Sequence, residues 1–132
     1  MVGPGGIMSD IYNDKSVRVA PVDIKEAKEM INEVKSLTLI RGYRGLPQAN
    51  IQTLANAIVS MSNLAMIKNV KEAEINPLLI KEGKEGVVAV DGLIVLNWYF
   101  HNNFTKYIYF PLKKLLNVNV RNMSFKWLIF MA

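Results

Sequence analysis

The chain contains no cysteine. That excludes a disulfide scaffold and any thiolate metal site, and it fits a reducing, cytoplasmic setting. Histidine occurs once, at His101. The first 96 residues hold no phenylalanine and no tryptophan, and residues 97–132 hold no aspartate or glutamate. No apolar run approaches the roughly 20 residues that a membrane-spanning helix needs. The opening Met1-Val2-Gly3-Pro4-Gly5-Gly6 has no basic region followed by an apolar stretch, so no signal peptide is evident.

What is present sorts along the same seam. The chain has 132 residues, of which 51% are hydrophobic and 20% charged, enough for one core and hardly two. Its net charge of +5 at first invites nucleic acid or an anionic membrane. Residues 1–96, however, set eleven Lys and Arg against eleven Asp and Glu. The excess belongs to Lys106, Lys113, Lys114, Arg121 and Lys126, so nucleic acid is not the expected partner.

Ile7 to Tyr12 reads as a short strand and Ser16 to Ala20 as a second, with Val17 and Val19 alternating with Arg18. Asn13-Asp14 between them supplies turn chemistry, so a hairpin is expected. Asp23 followed by Glu26 forms a capping box. The helix it opens carries Ile24, Ala27, Ile31, Val34 and Leu37 at core spacing and ends near Ser36. Ile40 to Pro47, with two glycines and a proline, reads as a loop. A second amphipathic helix starts from an Asn50 cap, with Leu54, Ala55 and Ile58 among its inward residues.

Two aliphatic runs follow, Glu74 to Ile80 and Val87 to Leu96. Gly83-Lys84 at the centre of the intervening loop suits a two-residue hairpin turn. That centring pairs Ile80 with Val87, Leu78 with Ala89 and Asn76 with Asp91. Directly opposed residues share a face, and Glu74 should share it with Asn76, Leu78 and Ile80. Two carboxylates and a carboxamide then converge at one end of an otherwise aliphatic hairpin. Such a set of hard oxygen donors suits Mg²⁺, which completes its shell with water and phosphate oxygens. The plainer alternative is a solvated strand end whose polar side chains decorate a turn.

Glu74-Ile75-Asn76-Pro77-Leu78 with Val88-Ala89-Val90-Asp91 resembles the end of the ATP-grasp domain of NDP-forming acyl-CoA synthetases. That group includes ADP-forming acetyl-CoA synthetase and is related to the β subunit of succinyl-CoA synthetase. Gly3-Pro4-Gly5-Gly6-Ile7-Met8 resembles its glycine-rich entry to a strand, Ser16-Val17-Arg18-Val19-Ala20-Pro21 its Arg-bearing strand, and Gly42-Tyr43-Arg44-Gly45 with Pro47 its loop. The resemblance implies an ATP- or ADP-dependent ligase working through a phosphohistidine. It implies Mg²⁺ at Asn76 and Asp91, with Glu74 beside them, and Arg18 countering nucleotide phosphate charge. Asp10 stands where the family has Glu, one methylene shorter. His101 matches no family motif.

The fold implied is α+β, an antiparallel-rich sheet with two helices on one face. Residues 1–96 read as the second subdomain of an ATP-grasp domain and residues 97–132 as a basic, aromatic tail outside the pattern. The expectation is a fragment or split part of a synthetase, not self-sufficient for catalysis. Its partners would be the other ATP-grasp half and a CoA-binding subunit or domain. A non-catalytic remnant or interaction module is the alternative. For the tail, three readings stand: translation past the family's usual end, a cationic aromatic segment (Tyr107 to Leu116 with Phe125 to Met131) on an anionic membrane, and packing against the exposed side of the half-domain.

Overall fold

The computed structural model describes residues 1–5, 13–81, 86–97, 105–109 and 127–131, the last two stretches as backbone strands. The expected strand over Ile7 to Tyr12, Asp10 within it, and His101 lie outside the described residues.

Helix α1 runs Ile24–Glu33 and begins where the sequence signals it. The Asp23 carboxylate accepts from the Glu26 N–H at 2.8 Å, and the Glu26 carboxylate accepts from the Asp23 N–H at 3.0 Å. Two N–H groups that the helix cannot satisfy itself are thereby paired. Ala27, Met30 and Ile31 are buried, whereas Ile24, expected inward, is 39% exposed. The helical path breaks at Val34, which is extended, and resumes as a 3₁₀ segment, Lys35–Arg41. Val34, Leu37 and Ile40 stay buried across that break. The start of the proposed loop is thus helical, and a second 3₁₀ turn, Tyr43–Gly45, occupies its middle. Helix α2, Ile51–Asn63, starts from Asn50, whose side-chain oxygen accepts from the Thr53 N–H at 3.0 Å. It buries Leu54, Ala55, Ala57 and Ile58.

The strands are β1 (Val2–Pro4), β2 (Val70–Ile80), β3 (Val87–Ala89), β4 (Gly92–Asn97), β5 (Thr105–Tyr109) and β6 (Trp127–Met131). They form one antiparallel sheet in the order β1-β6-β2-β4-β5, with β3 beside the end of β2. The expected hairpin register holds for Ile80 opposite Val87, Leu78 opposite Ala89 and Glu74 opposite Leu93, and shifts by one beyond Glu72, so that Leu96 is opposite Val70. The tail, in which no strand was legible, supplies β5 and β6.

The hairpin expected between residues 7 and 20 is corrected in its second arm. Among the described residues Ser16 alone of this arm bridges to a strand partner, Val2, and Val17 and Val19 are 59% and 91% exposed. Arg18 provides the reason, because its side chain turns back onto Glu33 at the end of α1 and leaves the valines facing outward.

Both helices and the sheet meet in one core that includes Val2, Ile31, Leu54, Ile58, Ile75, Leu78 and Ile80. Each buried Ile or Leu contributes roughly 1.5–3 kcal/mol by leaving water. The strand β2 reaches this core in an unexpected way. Side chains alternate along a strand, so residues 75 and 78 of a regular strand would face opposite sides. Both Ile75 and Leu78 lie in the same core. The inward side therefore changes between them, where the β2–β6 pairing shifts register and the Asn76–Pro77 bond is cis. Glu74, next to Ile75, consequently lies on the face turned away from the helices, not on the Leu78 and Ile80 side.

Candidate functional site

Glu74, Asn76 and Asp91 are brought together where β2 changes sides. With Gly92 and Leu93 they line a depression of about 190 Å³. Two backbone bonds keep the strands together through the irregularity, Asn76 N–H to the Asp91 carbonyl at 3.1 Å and Val90 N–H to the Pro77 carbonyl at 3.0 Å. Pro77 has no N–H of its own, so only its carbonyl serves the ladder. Asn76 and Asp91 are exposed and Glu74 is half-buried. Oδ1 of Asp91 accepts from the Gly92 N–H at 2.8 Å, which orients the carboxylate.

This donor set fits a hard cation. It offers two carboxylates and a carboxamide oxygen, with no nitrogen or sulfur ligand. Among the described residues no cluster of three or more His, Cys, Asp and Glu could enclose a metal ion. A Mg²⁺ held by Asp91, Asn76 and Glu74 would therefore draw much of its octahedron from water and phosphate oxygens, the way this ion is commonly held.

Arg18 is placed elsewhere. Its Nη2 pairs with Oε1 of Glu33, and its Nη1 donates to Oε2 of the same carboxylate at 3.1 Å. Ser16 Oγ also donates to Oε2, at 2.6 Å. These bonds from Arg18 and Ser16 hold the Glu33 carboxyl below its ordinary pKa, and the Glu33 carboxylate in turn raises that of Arg18. Arg18 lines a second and larger cavity, about 300 Å³, with Val2, Val22, Met30, Ile58 and Met61 among its walls. The two depressions share no lining residue. The larger one opens out of the hydrophobic core, whereas the oxygen-bearing side chains Glu74, Asn76 and Asp91 converge on the smaller.

The other arginines among the described residues, Arg41 and Arg44, divide. Arg41 Nη2 donates to the Ile31 carbonyl at 2.8 Å, capping the C-terminal end of α1 as a cation there should. Arg44 stands over the Tyr43 ring at 5.3 Å from its centroid. Sequence reasoning missed the ionic role of Glu33 because nothing local marks it. The fork with Arg18 joins residues 15 apart, across a turn and a helix.

A family model described as an ATP-grasp domain matches residues 1–96. The chain is 40% identical over 97 residues to the β subunit of an ADP-forming acetate–CoA ligase of Pyrococcus furiosus, covering 73% of this chain and 41% of that one. It is 36% identical over 92 residues to an ADP-forming 4-hydroxybutyrate–CoA ligase of Nitrosopumilus maritimus, covering 69% of this chain and 13% of the relative. Among solved structures, an acetyl-coenzyme A synthetase of Candidatus Korarchaeum cryptofilum, determined with coenzyme A and Mg-AMPPCP, superposes with a TM-score of 0.64 at 30% identity. That superposition covers 70% of this chain and 43% of the other. The chain thus spans about two-fifths of the subunit-length relatives it matches, 41% and 42% in the two from Pyrococcus furiosus.

Proposed function

The chain belongs to the ATP-grasp domain family, and from that membership we propose that it supplies the metal-binding side of the nucleotide site of an ADP-forming acyl-CoA synthetase. Asp91 and Asn76 hold Mg²⁺, with Glu74 beside them. The ion, when bound, neutralises phosphate charge on ATP or ADP and orients the group to be transferred. The observation that supports this most is the convergence of the three oxygen-bearing side chains in one small depression, where the Asn76 N–H bonds to the Asp91 carbonyl between the two strands.

Arg18 enters the proposal as the phosphate partner named by the family pattern. Both of its terminal nitrogens face Glu33, so a phosphate contact there requires an exchange of partners. Asp10 is assigned to the same role by position. The catalytic cycle needs the other ATP-grasp half and a CoA-binding subunit or domain, and this chain does not complete it alone. Acetate is the acid that the subunit relatives' names carry, and a short acid is the substrate class proposed.

Titration with Mn²⁺, followed by electron paramagnetic resonance, tests the metal site. Asp91→Asn should weaken binding by about tenfold, the loss of one charged ligand, with the circular dichroism unchanged. Unaltered Mn²⁺ affinity in that variant removes the assignment. Calorimetry with Mg-ATP tests the half-site, since micromolar affinity of this chain by itself would contradict it.

A further inference from the structure

Strands β1 and β2 both lie inside the segment that the ATP-grasp model matches, yet they do not pair with each other. Between them lies β6, antiparallel to both. Ile129 is opposite Pro4 on one side and Leu78 on the other, Leu128 is opposite Leu79, and Met131 is opposite Val2 and Ile75. Neighbouring strands are about 4.8 Å apart, so β1 and β2 stand about 9.6 Å apart, wide enough for one strand. Backbone N–H and C=O groups inside a sheet must be paired, so this slot requires an occupant wherever β1 and β2 hold these places.

The family match ends at residue 96, and the strand in the slot comes from beyond it. Its sequence, Trp-Leu-Ile-Phe-Met, is apolar, rich in strand formers and free of proline and charge. The residues it runs beside, Val2, Leu78, Leu79 and Ile80, are buried. In the subunit relatives, of which the chain spans 41% and 42%, most of the sequence lies outside this segment and is the source from which the slot can be filled.

We propose that Trp127–Met131 completes the sheet in cis, occupying a strand slot that the relatives fill from the part of their chain outside this segment, and that while seated it shuts out a donor strand. The ligand class of the slot is an extended, apolar strand running antiparallel to both walls, the mode of recognition in which main-chain bonds give affinity. The inference rests on family membership and strand order, not on the metal site, so either can fail without the other.

A fluorescent synthetic peptide of residues 121–132 is the probe, offered to the full chain and to its Ile129→Pro variant. Proline removes an N–H from the centre of β6 and should unseat it. Saturable binding to the variant, roughly tenfold or more tighter than to the unaltered chain, is expected. Equal binding to both, or none to a variant that circular dichroism shows folded, overturns the proposal. If the variant does not fold, cross-linking decides. The chain is free of cysteine, so Leu79→Cys with Leu128→Cys should close a disulfide on oxidation, because paired residues lie within bridging distance. Val88→Cys with Leu128→Cys, two strand spacings apart, should not. Failure of the first pair to close, or equal closure of both, overturns it.

Discussion

Asp14 shows how much a single residue can do beyond the turn its neighbours suggest. It follows Asn13, whose φ of 46° suits a turn, and its carboxylate accepts from the N–H groups of Lys35 and Ser36 at 2.8 and 2.7 Å. Those are the first N–H groups of the 3₁₀ segment Lys35–Arg41, whose own N-cap, Val34, has no acceptor side chain. Burial works against the charge, but the bonds from Ser36 and Lys35 outweigh it and hold the carboxyl below its ordinary pKa. A depressed native pKa gives stability that is present above the unfolded value, about 3.9 for Asp, and lost as pH falls through the native one. Asp14→Ala should therefore cost about 1 kcal/mol near neutrality, the worth of a lost cap. The gap in urea midpoint between the variant and the unaltered chain should narrow toward about pH 3. A gap that is the same at both pH values would show that the charge is not what matters. Glu33, lowered by Arg18 and Ser16, loses its contribution in the same direction and supplies acid sensitivity that Asp14→Ala leaves intact.

At the scale of elements, the helices were legible because their signals are local. Asp23 with Glu26, and Asn50, are caps that act within three residues, and both helices start where those residues stand. The β2–β3 and β2–β4 register was legible for a related reason, since the centre of a hairpin fixes the pairs that follow it, here as far as Glu72 opposite Val95. Gly86 closes that hairpin with φ of 84°, its carbonyl accepting from the Lys81 N–H at 2.9 Å and its position set against Thr53 of α2. A Cβ at this position would lie 3.0 Å from Thr53 Cγ2, so space and backbone conformation both demand glycine. Gly86→Ala should cost about 1–2 kcal/mol in chemical denaturation. Adding Thr53→Ser, which removes the opposing methyl, should restore the steric part and leave the conformational part. No recovery in the double variant would place the whole cost in the backbone.

At the scale of the molecule, the candidate site and the core are neighbours on one strand and should respond separately. Leu78 is fully buried between sheet and helices, and Leu78→Ala should cost about 2–5 kcal/mol, as core truncations do. Asp91 is exposed, so Asp91→Asn should leave the thermal midpoint within about 2 °C, as surface changes do, while lowering Mn²⁺ affinity. A large fall in the midpoint for Asp91→Asn would mean that the carboxylate serves the fold through its Gly92 bond. Among the described residues no helix is long and apolar enough to cross a membrane. The charge seam at residue 96 is also a seam in sheet order, because the strands beyond it are added at the edge beside β4 and in the slot between β1 and β2.

By itself the sequence determined the two capped helices, the register of the central hairpin and the grouping of Glu74, Asn76 and Asp91. All of these follow from interactions close along the chain or from one turn that propagates through a ladder. Three things were decided only by the tertiary structure: the side of the sheet that Glu74 faces, the capture of Arg18 by Glu33, and the seating of Trp127–Met131 between β1 and β2. Each depends on a contact between segments whose separation no periodicity records. A change of strand side, a salt bridge across a helix and a strand arriving from the far end of the chain are chosen by what else must be packed and paired at that place.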